Sequence, residues 1–130
     1  MSKTRKVAVI DDDQVFQLII KKQIEMKNFD CEILSFYNGQ EAFDFFKANA
    51  DDAEKLPDLV MLDVNMPVKN GWDFLQDYQT LPAEMRKKIS LYMVTSSVIQ
   101  SDIDKANDNE NIISFVSKPI TNEKLEEVFA

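Results

Sequence analysis

Apolar residues along this chain fall into two alternating rhythms. Short, nearly unbroken apolar runs occur five times, as VAVI (7–10), CEILSF (31–36), DLVMLDV (58–64), SLYMVTS (90–96) and IISFVS (112–117). Between them the apolar positions are spaced as on one face of a helix. Phe16, Ile19, Ile20 and Ile24 form the first such set and Ala42, Phe45 and Phe46 the second. Phe74, Leu75 and Tyr78 follow, then Ile99, Ile103 and Ala106, and finally Leu125, Val128 and Phe129. Alternation of this kind predicts an α/β fold, a five-stranded parallel sheet with helices on both faces. The 31–36 run carries Glu32 and Ser35 and is the most polar of the set, which assigns it to an edge. Gly39 suits the turn into the second helix, and Pro57 breaks the chain before the third strand. The polar stretches 47–57 and 107–111 read as connections. With no repeat, low-complexity tract or linker, residues 1–130 are expected to form a single domain.

Composition narrows the chemistry. A formal charge of −8 opposes direct contact with nucleic acid or anionic membranes. The lone Cys31 excludes an internal disulfide and is compatible with a reducing cytosol. No apolar run approaches the roughly 20 residues of a membrane span. The opening MSKTRK leads into only four apolar residues, too few for a signal-peptide core. The expected location is the cytoplasm. The chain has no histidine, hence no imidazole base and no phosphohistidine of its own. A metal site here must use oxygen ligands, which favours Mg²⁺ ahead of Ca²⁺.

In a parallel sheet the C-terminal strand ends gather on one rim, where ligands bind. Those ends carry Asp11, Asp12 and Asp13 after the first strand and Asp63 at the end of the third. Thr95 and Ser96 close the fourth strand, and Lys118 with Pro119 closes the fifth. Each has an ordinary use. An aspartate after the first strand caps the helix that follows, and Asp13 is assigned that role. Thr95 alone is a strand former, and Lys118 alone is a surface lysine. Pro67, Asn70 and Gly71 punctuate a turn, while Met61, Met66 and Met93 fill core. Asp63 is harder to explain this way, because an unpaired carboxylate amid LVML and Val64 is costly. Together, three carboxylates, a lysine and a hydroxyl make an oxygen-rich cation site beside a fixed positive charge. That set suits phosphoryl transfer, with the central Asp63 as nucleophile.

The motifs VIDDD, LVMLDVNMPVKNG, MVTSS and VSKP, in this order and spacing, resemble the receiver domain of two-component response regulators over essentially the whole chain. The resemblance implies a flavodoxin-like sheet of order 2-1-3-4-5. It makes Asp63 the acceptor of phosphate from a sensor histidine kinase or phosphotransfer protein. Asp11, Asp12, Asp63 and the Asn65 backbone carbonyl become the Mg²⁺ ligands. Thr95 matches the switch hydroxyl and Phe115 the switch aromatic. Lys118 matches the lysine that pairs with the phosphoryl group, and a cis peptide is expected between it and Pro119. Phosphorylation would draw Thr95 inward, let Phe115 fill the vacated space, and alter the face of the fourth predicted helix, fifth strand and last helix. A downstream protein would read that face. Such a chain catalyses its own phosphorylation and slow dephosphorylation without being a turnover enzyme.

Some positions vary from the family pattern. Ser96 stands where small residues, often alanine, are common, and Phe115 lacks the phenol oxygen of many relatives. Asn65 and Ser97 occupy positions that influence phosphate hydrolysis, and neither is an obvious general base, so unusually fast loss is not expected. A Mg²⁺-dependent phosphatase of the haloacid-dehalogenase kind needs an acid two residues after its nucleophile, where this chain has Asn65. A receiver fold serving only as an interaction module would be favoured by loss of an acid, Thr95 or Lys118, and all are present. The opening Met1 favours a stand-alone regulator over a receiver belonging to a hybrid kinase or transcription factor.

Overall fold

Side-chain alternation along the strands sorts the core into two layers. The computed structural model describes residues 5–27, 29, 31–67, 69–96 and 99–129. Its strands are β1 (Arg5–Ile10), β2 (Cys31–Phe36), β3 (Leu59–Asp63), β4 (Ser90–Thr95) and β5 (Ile112–Ser117). They form one all-parallel sheet in the order β2-β1-β3-β4-β5, as expected, with the polar 31–36 run at an edge.

Val7, Val9, Leu59 and Met61 share one apolar layer with Phe16, Ile20 and Ile24 of α1 (Gln14–Met26). Leu125, Val128 and Phe129 of α6 (Asn122–Phe129) complete it. Ala8, Ile10, Val60, Leu62, Leu91 and Met93 share the other layer with α2 (Gly39–Ala48) and α3 (Gly71–Tyr78). Val7 to Ile10 have no accessible surface at all. Burial of this kind contributes roughly 1.5–3 kcal/mol for each large aliphatic side chain and fixes strand register. Met61, Met66 and Met93 are buried, as filler should be.

The differences from the sequence reading have local causes. A single helical turn, α4 (Ala83–Arg86), precedes β4 and is too short to show an apolar repeat, although it buries Met85. The fourth predicted helix is therefore α5 (Gln100–Asp108), which takes Asn107 and Asp108 out of the expected loop. Ile19 is half exposed. At 3.6 residues per turn it lies about 140° round the helix from Ile24, off the buried stripe. Ile99 is also exposed, at the N-cap of α5, where it makes no side-chain cap bond. Between β4 and β5 the register shifts: Leu91 pairs with Ile112 but Tyr92 pairs with Ser114, leaving Ile113 as an extra, exposed residue. Ser97 lies outside the described residues. Among those described, no helix is long and apolar enough to cross a membrane.

The β3–α3 turn is tight for an identifiable reason. Asn70 caps α3 by accepting from the Asp73 N–H at 2.9 Å, and the Asp73 side chain accepts from the Asn70 N–H at 3.1 Å. Gly71 donates to the Val64 carbonyl at 2.9 Å. A Cβ on Gly71 would stand 2.5 Å from the Asp63 carbonyl oxygen and 3.1 Å from Val64 Cα. Backbone on both sides leaves nothing to yield. Gly71→Ala should therefore destabilise the protein by about 1–3 kcal/mol in denaturant unfolding. Gly39→Ala, whose Cβ meets nothing closer than 3.3 Å, should cost far less. Equal losses would contradict this account of the turn.

Candidate functional site

The register of β1 and β3 brings two acids to one place. Ile10 and Leu62 are paired, so the next residues, Asp11 and Asp63, leave adjacent strand ends. Asp11 is buried. Its N–H donates to the Phe36 carbonyl at 3.0 Å, and its Oδ1 accepts from the Asp13 N–H at 2.9 Å. The three consecutive aspartates divide their roles. Asp11 turns inward, Asp12 is exposed, and Asp13 caps α1 by accepting from Val15 and Phe16 at 2.9 and 3.2 Å. The capping role expected of Asp13 is what the structure has.

Gln17, which the sequence reading did not single out, is buried one turn further along α1. Its Nε2 lies 3.0, 3.1 and 3.0 Å from the carbonyls of Val9, Asp11 and Phe36, so two hydrogens are shared among three acceptors. This amide ties the ends of β1 and β2 to α1. The available signal was a polar residue placed next to Phe16 and three before Ile20, on a stripe otherwise apolar.

Lys118 arrives from the far edge strand. Its peptide bond to Pro119 is cis, as the resemblance implied, and its N–H donates to the Thr95 carbonyl at 2.7 Å. The Nζ lies 2.6 Å from Asp11 Oδ2, 3.8 Å from Asp63 Oδ1 and 4.2 Å from the Phe16 ring centroid. Asp11 Oδ2 has the Lys118 ammonium as its charge partner among the described residues. Thr95 is fully buried, and the Asn65 side-chain amide approaches its hydroxyl at 3.4 Å. Phe115 stands apart from this cluster, half-buried on β5 in register with Met93. Ser96 is exposed. Trp72 is half-buried and its indole N–H donates to Asp102 of α5 at 3.1 Å.

Carboxylate oxygens of Asp11, Asp12 and Asp63 all lie within 4.8 Å of one another. Each close pair repels by roughly 4 kcal/mol at the effective dielectric of a partly exposed site. The consequence is seen at Asp63, whose carboxyl is pushed up to about 7. Burial is the main cause and the Asp11 charge the next, with Asp12 adding to them; Lys118 and the Asn65 backbone N–H pull the other way. An all-oxygen donor set of three converging carboxylates, carrying more negative charge than the Lys118 ammonium offsets, fits a hard divalent cation.

The family model described as "Response regulator receiver domain" matches residues 7–130. A protein of Staphylococcus epidermidis described as an uncharacterized response regulatory protein is 26% identical over 95% of this chain. The chain spans 44% of that relative's length. Among solved structures, a two-component response regulator from Cytophaga hutchinsonii is 26% identical with a TM-score of 0.89, covering 98% of this chain and 96% of its own. A response regulator receiver protein from Dyadobacter fermentans is 28% identical with a TM-score of 0.81, covering 96% of this chain and 98% of its own.

The raised Asp63 carboxyl sets a pH dependence of stability. Between about pH 4 and pH 7 the unfolded chain has released a proton that the folded chain keeps, so stability falls as pH rises through that window. Asp63→Asn removes the penalty. Without divalent cations its melting midpoint should match the parent's near pH 4 and exceed it by several degrees at pH 8. Millimolar Mg²⁺ should raise the parent's midpoint and narrow the gap. A gap independent of pH, or a midpoint that ignores Mg²⁺, would contradict a strained acid cluster.

Proposed function

This chain belongs to the response regulator receiver domain family, and from that premise we propose that it is a phosphoacceptor switch in which Asp63 accepts a phosphoryl group from a phosphohistidine. The observation that carries the reading is the convergence of three carboxylates and the Lys118 ammonium at the junction of β1 and β3. Receiver domains are signalling switches, not ordinary turnover enzymes. The donor is a sensor histidine kinase or phosphotransfer protein in the cytoplasm.

A carboxylate oxygen of Asp63 attacks phosphorus in line with the leaving imidazole nitrogen. A phosphorus–oxygen bond forms, and the phosphorus–nitrogen bond breaks with its electron pair left on nitrogen. Asp11, Asp12, Asp63 and the Asn65 carbonyl would hold Mg²⁺, which supplies charge compensation for the phosphoryl oxygens. Lys118 moves its contact from Asp11 towards a phosphoryl oxygen, a short shift given its 2.6 and 3.8 Å distances to the two acids. The Thr95 hydroxyl turns from Asn65 to donate to another. Phe115, with no polar tip to satisfy, follows by apolar burial alone. The change reaches the face of α5, β5 and α6, where a downstream protein binds. Nucleic acid is not a direct partner in this reading.

Incubation with Mg²⁺ and acetyl phosphate should add the mass of one phosphoryl group, and Asp63→Asn should abolish the adduct. Thr95→Ala and Lys118→Ala should retain the acceptor but uncouple labelling from any change in α5 amide shifts. A chain unlabelled by acetyl phosphate and by a phosphorylated histidine kinase would be an interaction module instead.

A further inference from the structure

Resting on the phosphoacceptor reading of Asp63, we propose that Phe16 is a positioning residue whose ring face seats the Lys118 ammonium at the acid cluster. The Lys118 side chain is only 14% exposed, so its ammonium has lost most of its water. Asp11 replaces that water on one side, and the ring replaces it on another, 4.2 Å away. A cation over a ring face is attracted by the ring quadrupole, and the attraction is broad across the face. A carbonyl or carboxylate in the same place would instead hold one ammonium hydrogen in a fixed direction. The ring therefore keeps the charge at the cluster without fixing which acid it faces. Lys118 can pass from Asp11 towards an oxygen carried by Asp63 and stay over the ring throughout.

The seat itself is held in place. Phe16 is buried, and its backbone N–H donates to the Asp13 cap at 3.2 Å. The next residue, Gln17, is bonded to the β1 and β2 ends. The ring borders a cleft of about 300 Å³ also lined by Val15, Ile19 and Pro119, and a tyrosine would present the same ring face. A leucine would fill much of the ring's volume but offer the ammonium no negative face.

The test compares initial rates of phosphoryl uptake from acetyl phosphate in Mg²⁺. Phe16→Leu should slow uptake about five- to thirtyfold, the span from an exposed to a desolvated cation–ring contact, and Phe16→Tyr should restore it. In a Lys118→Met background, Phe16→Leu should cause no further loss. A parental rate in Phe16→Leu, or an equal loss with and without Lys118, overturns the proposal. The wild-type protein supplies a second reading, free of any folding defect. Lys118 side-chain methylene resonances should be displaced upfield by the ring current, and unshifted resonances overturn the seat. Should the wild type take up no phosphoryl group, the acceptor reading fails, and the methylene shifts alone then decide whether the ring seats the ammonium.

Discussion

Like charges forced together at a strand junction are the constraint around which the rim of this molecule is built. Parallel pairing of β1 with β3 delivers Asp11 and Asp63 side by side, and the turn after β1 adds Asp12. The sheet gains its apolar burial only in this register, so the core imposes the repulsion on the rim. Lys118 relieves part of it from the opposite edge, and a divalent cation would relieve more. The site is thus a local conflict sustained by the stability of the layers beneath it.

Rigidity is distributed unevenly around that conflict. On the α1 side, the Asp13 cap holds the first turn of the helix, the Gln17 amide ties that turn to the ends of β1 and β2, and the Phe16 ring faces the Lys118 ammonium. On the α3 side, the Asn70–Asp73 capping box and the Gly71 contact press a helix start directly onto the backbone that carries Asp63. By contrast α5 begins at Ile99 without a side-chain cap and buries little beyond Ala106. Its ties to the body include the Trp72–Asp102 hydrogen bond and the Lys105 ammonium over the Trp72 ring. The acids and their supports form the firm part of the rim, whereas α5, among the described residues, starts without a side-chain cap and buries only Ala106 fully.

Much of this was legible in the sequence, because the strands are apolar on both faces and the chemistry sits at their ends. Strand number, parallel pairing, the polar edge and the convergence of Asp11, Asp12, Asp63 and Lys118 all follow from patterns that span the whole chain. What escaped notice depends on distances between residues that no periodicity encodes. Gln17 looks like an ordinary helix glutamine until three strand-end carbonyls surround it. Phe16 belongs to the core, as its spacing predicts, but one face of its ring looks at an ammonium. Gly71 punctuates a turn, but its lack of a side chain matters because a Cβ there would stand 2.5 Å from the Asp63 carbonyl oxygen. Ile19 fits the α1 spacing yet is half exposed, because spacing by threes and fours tolerates a residue well off the buried axis.

The extra residue in β5 has a consequence for the sidedness of the sheet. With Ile113 bulged out, Phe115 falls opposite Met93, on the surface to which Thr95 also belongs by alternation along β4. Were Ile113 instead paired with Tyr92 in a regular ladder, Phe115 would fall opposite Val94 and project into the layer beneath α1 and α6, with the sheet itself standing between ring and hydroxyl. A one-residue irregularity in the ladder is therefore what allows these two side chains to share a compartment at all.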